Sequence, residues 1–147
     1  METIIKNKKM EKMLLMVYGT LMNGFHNNKL LEGQKFIEEC ETKEKYTMYV
    51  NGIPYVFPYK ETSSIKGELW EVTGEENIHQ LDMLEGHPAW YRREEVEIKG
   101  LSGKIYKAWL YFLPDESLTL SNMSIIKNGD YRNPEYLQKN KIETINL

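Results

Sequence analysis

A glutamate near the end of the main predicted helix, Glu85, stands where an apolar residue is expected. Ile78, Leu81 and Glu85 lie at i, i+3 and i+7, so they share one helix face. Partial burial and the negative end of the helix dipole both disfavour the anion, so we expect the pKa of Glu85 to exceed its reference of about 4.3. Such a carboxyl group suits acid/base chemistry near pH 7. The alternative is that it turns to solvent or pairs with Arg92 or Arg93.

The second chemical feature is the end of the first apolar run, in the stretch "MLLMVYGTLMNG". The run predicts a buried strand, and Gly19, Thr20 and Leu21 follow its last residue, Tyr18. This segment is either a simple turn or a loop whose backbone amides face a ligand, since glycine lets a backbone approach closely. It is not a phosphate-binding P-loop, because "GTLMNG" lacks the required spacing and the terminal lysine-serine/threonine pair.

Other reactive side chains carry weaker signals. His26, His79 and His87 show no metal-ligand spacing with one another or with Cys40, so we expect no metal site. A nucleophilic pairing of Cys40 with a histidine stays open without positive support, and a small core or loop role is the simpler expectation. A lone cysteine and the lack of a signal-like leader favour a cytoplasmic location.

Strands dominate the elements that must position these groups. The patterns predict about six strands, at residues 13–18, 46–50, 53–57, 65–72, 91–98 and 104–113. Asn51-Gly52 predicts a type I′ hairpin turn, and Pro54 and Pro58 place the second arm at a sheet edge. Both faces of the last strand are apolar, which favours a curled sheet or small barrel covered by a helix, an α+β arrangement. The acidic run at residues 38–45 indicates a solvated strand or loop face.

One main helix is predicted within "TGEENIHQLDMLEG". Thr73 and Glu76 have the spacing of a capping box, Gly86 suits a left-handed C-terminus, and Pro88 prevents continuation. A shorter helix is predicted at residues 25–32, and another is predicted to begin at Asn133-Pro134.

Composition limits the class of protein. The 147 residues are 41% hydrophobic and 28% charged, with a net charge of −3, which predicts one globular domain at residues 13–147 after a flexible extension at residues 1–12. The charge gives no basic footprint for nucleic acid or an anionic membrane. The longest apolar run is far shorter than the roughly 18 residues that span a bilayer. A neutral small molecule or a protein is the expected partner, and the oligomeric state stays undetermined.

Two segments, "VYGTLMNG" after the first strand and "LDMLEGHPAWYRR" at the end of the helix, resemble the gamma-glutamylcyclotransferase-like superfamily. The likeness is to the branch with gamma-glutamylamine cyclotransferases and AIG2-like proteins. It continues in "IKGELWEV", "AWLYF" and, more loosely, "NGDYR", covering roughly residues 13–132. The resemblance implies a small mixed β-barrel with one main helix and one or two short flanking helices.

The resemblance also implies an enzyme that releases 5-oxoproline from a gamma-glutamyl amine or amide without a metal or organic cofactor. Glu85 matches the family's general acid/base. The positions that match the substrate-holding loop are Tyr18, Gly19, Thr20 and Leu21, and those that match pocket-lining aromatics are Tyr91, Tyr111 and Tyr131. For each of these three tyrosines, a place in the core or barrel wall is the alternative.

Three readings of the function remain at this point. His87 stands where the family often has an aromatic residue. Because a histidine there can alter charge and shape beside Glu85, the exact substrate can differ from that of other members. A non-catalytic small-molecule-binding or regulatory protein on the same fold is the second reading. The third is an interaction module that uses the hairpin edge at residues 46–59.

Overall fold

The structure is a computed structural model that describes residues 11–58, 61–87, 91–113 and 124–133. Most of the predicted extension, residues 1–10, and the helix predicted to begin at Asn133-Pro134 therefore lie outside the described residues, apart from Asn133 itself. None of the helices in these four ranges is both long enough and apolar enough to cross a membrane.

Five strands close into a barrel in the order β2-β4-β1-β6-β5, with β5 pairing back onto β2. Their bounds are β1 Lys12–Val17, β2 Lys35–Asn51, β4 Ser63–Thr73, β5 Arg92–Gly100 and β6 Ile105–Phe112. The β1–β6 pair is parallel and the other pairs are antiparallel. The α+β class and the mixed barrel are thus confirmed. Barrel residues that are at most 2% exposed include Leu15, Ile65, Leu69, Ile98, Leu110 and Phe112.

A hairpin extends beyond the barrel. The second half of β2 pairs with β3 (Ile53–Phe57) on one side and with the two-residue β7 (Ser124–Ile125) on the other. The predicted hairpin is confirmed, and so is the position of its second strand at the sheet edge, but the prediction of a type I′ turn is wrong. Asn51 pairs directly with Ile53 across the tip, and within the described ranges only glycines, here Gly52, take a positive φ. A type I′ turn needs positive φ at both central residues.

The strand β2 is longer than the prediction of residues 46–50, and the acidic run lies within it. This part of β2 pairs with β4 on one side and with β5 on the other, so it closes the barrel. Glu38 is an acidic residue of this run with a structural role. Its carboxylate accepts hydrogen bonds from the Ser102 amide (2.8 Å) and the Tyr106 hydroxyl (2.7 Å). The run is therefore a paired strand, in which the Glu38 carboxylate links β2 to β6 and to the turn after β5.

The main helix, α1 (Glu75–Glu85), is confirmed, but its predicted capping box is wrong. Thr73 is still part of β4, and the N-cap is Gly74. Gly74 has a φ of 102°, a backbone conformation that residues other than glycine rarely adopt. Gly86 ends the helix in the left-handed conformation (φ 68°), as predicted, and the His87 N–H donates to the Asp82 carbonyl. The predicted short helix is a 3-10 helix, His26–Leu31.

Candidate active site

A cavity of about 120 Å³ opens where β1 ends, α1 ends and the β2–β3 hairpin turns. It is large enough for several water molecules or a small organic group. It is lined by Met16, Val17, Tyr18, Gly19, Thr20, Leu21, Asn27, Ile53, Pro54, Leu84, Glu85, Tyr91 and Tyr111. The structure therefore brings together Glu85 and the whole Tyr18–Leu21 segment, which are far apart in the sequence.

The loop after β1 is held by the 3-10 helix. Asn27 donates to Thr20 twice, from its backbone N–H to the carbonyl (3.0 Å) and from Nδ2 to Oγ1 (2.8 Å). Asn28 Nδ2 donates to the Leu21 carbonyl at 2.8 Å. Within the described part of the chain, the backbone N–H groups of Gly19 and Thr20 donate to no protein acceptor. A loop fixed through its carbonyls thus leaves two amide donors available beside the cavity.

The second wall of the cavity explains why residue 19 is glycine. A Cβ atom at Gly19 would lie 2.7 Å from Cγ of Pro54, on the hairpin arm β3. Real Cβ atoms do not approach other atoms so closely, so a side chain here would push the loop and the hairpin apart. Gly19 is needed for this close approach and not for an unusual backbone angle, since its φ is not positive.

Glu85 occupies the last position of α1, with Ile78 and Leu81 of the same face buried beneath the helix. Burial raises the pKa of the Glu85 carboxyl group to about 7. The direction matches the prediction, and burial alone is its cause. The Glu85 backbone carbonyl accepts a hydrogen bond from the Tyr91 N–H (3.1 Å), but no hydrogen bond or ion pair joins the Glu85 carboxyl group to another described residue. Arg93 pairs instead with Asp82 (Nε to Oδ1, 2.8 Å). The alternative in which Arg93 neutralises Glu85 is therefore wrong.

Three buried tyrosines surround the carboxyl group and direct their hydroxyls elsewhere. Tyr18 donates to the Tyr111 carbonyl (2.6 Å), Tyr91 to the Pro54 carbonyl (3.0 Å) and Tyr111 to Asp82 Oδ1 (2.6 Å). Burial raises the pKa of each phenol, and the nearby Glu85 carboxylate raises it further. These side chains are neutral over the physiological range, so they shape the cavity without adding charge.

Asp82 and Arg93 form a support that the sequence interpretation missed. Asp82 accepts from Arg93 Nε and Nη2 and from Tyr111, and Arg93 lies over the Trp109 ring at 4.8 Å. Burial alone would raise the pKa of Asp82, but these hydrogen bonds hold it below its usual value. The pair fixes Tyr111, which lines the cavity, and engages a second carboxylate and a cation with each other.

Tyr131 is not among the residues that line the cavity. Its hydroxyl donates to the Gly52 carbonyl at 2.9 Å, and its ring packs on Phe25 with centroids 5.4 Å apart. It therefore connects the hairpin tip to the segment before the 3-10 helix. Tyr131 supports two walls of the cavity from outside, whereas Tyr91 and Tyr111 line it.

Several cavity residues carried no signal in the sequence. Asn27, Ile53, Pro54 and Leu84 were not singled out as site residues, because only the folding of the hairpin against the β1 loop makes them neighbours. An amide side chain shortly after a glycine-rich loop, as in "FHNN", is the one hint that could have pointed to Asn27.

Cys40, the candidate nucleophile, lies away from the cavity. Cys40 is buried in β2, does not line the cavity, and has a thiol pKa that burial raises to about 12, which opposes a role as a thiolate nucleophile. Among the residues that the structure describes, no group of three His, Cys, Asp or Glu side chains is placed to hold a metal ion.

Known proteins resemble this chain over most of its length. The family model described as gamma-glutamyl cyclotransferase, AIG2-like, matches residues 15–133. A Methanocaldococcus jannaschii protein, named provisionally as a gamma-glutamylcyclotransferase, is 47% identical over 117 residues, which cover 79% of this chain and 92% of that protein. A Danio rerio protein named gamma-glutamylaminecyclotransferase C is 30% identical over 133 residues, 78% of this chain and 87% of that protein.

A solved structure supports the same relationship at the level of fold. The mouse AIG2-like protein superimposes with a TM-score of 0.72 at 20% identity, covering 86% of this chain and 94% of the mouse chain. At that identity the likeness concerns the barrel and its helix. Together with the family model and the archaeal relative, it shows that the chain belongs to the AIG2-like gamma-glutamyl cyclotransferase family.

Proposed function

We propose that this protein releases 5-oxoproline from a gamma-glutamyl amine or amide, with Glu85 as the general acid/base. The observation that carries the proposal is that one cavity is lined by the Glu85 carboxyl group, whose pKa is about 7, and by Gly19 and Thr20. Among the described residues, neither that carboxyl group nor the N–H groups of Gly19 and Thr20 have a hydrogen-bond partner. The family membership and the zebrafish relative's name support the same class of substrate.

The reaction needs no nucleophile from the protein. The substrate's α-amine attacks its own γ-carbonyl carbon, a five-membered lactam forms, and the bond from that carbon to the leaving nitrogen breaks. The α-amine is largely an ammonium ion at neutral pH, so a base must first remove a proton, and the leaving nitrogen must gain one. The Glu85 carboxylate takes the first proton and then delivers it to the leaving nitrogen as the bond from the γ-carbon breaks. The attacking nitrogen loses a second proton as it becomes the lactam N–H, and the released amine takes up one proton to become an ammonium ion, so no proton is consumed overall.

A pKa of about 7 suits both halves of this transfer. At neutral pH an appreciable fraction of Glu85 is ionised and can accept the proton, while its conjugate acid is strong enough to protonate the departing amine. A carboxyl group at its ordinary pKa would accept the ammonium proton less readily. The burial that raises the pKa of Glu85 is thus the property that the chemistry requires.

The Gly19 and Thr20 amides supply the second requirement. Ring closure places negative charge on the γ-carbonyl oxygen, and N–H groups on a fixed loop can stabilise it without reorganising during the reaction. They can also hold the flexible glutamyl chain in its ring-closing shape. Asn27, which fastens Thr20 from the 3-10 helix, keeps this loop in place.

The test is Glu85→Gln assayed against a panel of gamma-glutamyl amides, with 5-oxoproline followed by mass spectrometry. We expect the fold to persist and kcat to fall by about 100-fold or more, because the side-chain amide of glutamine cannot accept the proton and return it. Glu76→Gln, an exposed carboxylate in the first turn of the same helix, is the matched control and should retain full activity.

Two results would contradict the proposal. Undiminished 5-oxoproline release by Glu85→Gln would reject the role of the carboxyl group. Ligand binding by the wild-type protein without cyclised product from any amide would instead favour the non-catalytic binding protein.

A further inference from the structure

Two aliphatic side chains of the cavity face both the cavity and solvent. Ile53, next to the tip of the β2–β3 hairpin, is 39% exposed, and Leu84, in the last turn of α1, is 42% exposed. Both nevertheless line the cavity. We call this pair the apolar rim, and we infer from its exposure to solvent that it marks the mouth of the cavity.

The charged side chains near the mouth also affect which substrates can bind there. Of the described residues that line the cavity, Glu85 alone carries a side chain that ionises near neutral pH. Asp82, three residues before Glu85 in the same helix, is already bound by Arg93 and Tyr111. A cationic group at the mouth would therefore lose part of its hydration without meeting a carboxylate other than Glu85 among the described residues that line the cavity, which is unfavourable.

The proposed function determines which part of the substrate meets the rim. The leaving nitrogen receives its proton from Glu85, so it lies against that carboxyl group. Leu84 is the neighbour of Glu85 in the chain, and Leu84 and Ile53 are the two residues of the described lining that are also exposed large hydrophobic residues. The group attached to the leaving nitrogen therefore passes between Leu84 and Ile53 on its way to solvent.

We propose that the apolar rim of Ile53 and Leu84 selects substrates whose leaving amine carries a neutral aliphatic chain. This inference rests on the proposed function and adds specificity to it. The glutamyl half is held by the loop, and the amine half is chosen by burial of methylene groups against the rim. A substrate whose amine half ends in an ammonium group is disfavoured.

The test compares kcat/KM for gamma-glutamyl-methylamide, -propylamide and -pentylamide, and for the amide of 1,5-diaminopentane, which matches the pentylamide in length but ends in an ammonium group. We expect kcat/KM to rise by about threefold for each methylene that the rim buries. We expect the pentylamide to exceed its ammonium-ended counterpart by about tenfold or more at pH 7.

Ile53→Asp and Leu84→Asp should remove most of the preference, because a carboxylate at the mouth attracts the ammonium group. The expected change in the ratio of the two kcat/KM values is about tenfold in each variant. Leu101→Asp is the matched control: Leu101 is an 83% exposed aliphatic residue in the turn after β5 that does not line the cavity. It should leave the ratio unchanged, and circular dichroism checks that all three variants fold.

The outcomes separate the two proposals. Equal kcat/KM for short, long and ammonium-ended amides would overturn the role of the rim while leaving the cyclising reaction in place. A ratio that Leu101→Asp shifts as much as Ile53→Asp would also overturn it, since the effect would then be one of overall charge. Absence of 5-oxoproline from every amide would overturn the reaction and the rim together.

Discussion

The Glu68 carboxylate in β4 accepts two hydrogen bonds from Asn23, one from the backbone N–H (3.0 Å) and one from Nδ2 (3.2 Å). Glu68 is only 2% exposed, and its remaining bond comes from Trp70 Nε1 at 3.1 Å. All three donors are neutral. The loop that begins at Tyr18 is therefore fastened at its far end to the barrel wall, by a buried carboxylate that the sequence interpretation did not single out.

Glu68→Ala should lower both stability and substrate binding. The change leaves the Asn23 and Trp70 donors without an acceptor, so we expect the free energy of unfolding to fall by about 2–4 kcal/mol. The loosened loop should raise KM for a gamma-glutamyl amide more than it lowers kcat. Chemical denaturation and steady-state kinetics measure the two effects.

Glu71→Ala provides the comparison on the same strand. The Glu71 carboxylate pairs with Lys12 at 3.3 Å on the surface, and such a pair contributes less than about 1 kcal/mol. Equal losses of stability for Glu68→Ala and Glu71→Ala would show that Glu68 does not anchor the loop.

The pH dependence of activity should report on Glu85. The carboxylate is the form that accepts the ammonium proton, and its pKa is raised to about 7. We expect kcat/KM to fall by about tenfold per pH unit below that value. A limb centred near 4.5 would mean that the group responsible is an ordinary exposed carboxylate and not Glu85.

Glu85→Gln should stabilise the protein at neutral and alkaline pH. Because the pKa is about 7 in the folded protein and 4.5 ordinarily, the folded state binds more protons between these values. The free energy of unfolding of the wild type therefore decreases as the pH rises through this window, by up to about 3 kcal/mol. Glutamine has no charge to bury, so the variant should escape this loss.

The measurement is denaturant unfolding of both proteins at a series of pH values. The difference should be small below pH 4.5 and reach its full size above pH 7, while Glu76→Gln should show no such growth. A difference that stays constant with pH would contradict the raised pKa.

Gly19→Ala should close part of the cavity mouth or displace the loop, because the new methyl group would meet the Pro54 ring at 2.7 Å. We expect activity to fall by about tenfold or more, since misplacing a positioning loop by a fraction of an ångström is costly. The double variant Gly19→Ala/Pro54→Ala removes the ring atoms that clash and should recover much of the activity. No recovery in the double variant would place the cause of the loss outside this contact.

The local parts of the fold followed from the sequence. Apolar runs and alternation predicted the strands that became β1, β3, β4, β5 and β6, and Gly86 marked the end of α1, since each of these signals depends on neighbours within a few residues. Glu85 was recognised for the same reason: helical spacing places it with Ile78 and Leu81 whatever the rest of the chain does.

Errors arose where distant contacts outweighed local preference. Thr73 and Glu76 have capping-box spacing, yet Thr73 stays in β4, where its N–H donates to Gln34 Oε1 at 2.8 Å. For the acidic run in β2 the sequence left a strand and a loop open, because the run has little strand preference of its own; pairing with β4 and β5 on both sides makes it a strand.

By itself, the sequence determined that an acid ends the main helix and that a glycine follows the first strand, because spacing and residue type are local properties. Only the tertiary structure decided that the two share a cavity, that Arg93 turns to Asp82, and that Ile53 and Leu84 stand at the mouth. Those outcomes depend on which strands pair and which side chains exclude water. The burial that raises the pKa of Glu85 exists only once the barrel has closed.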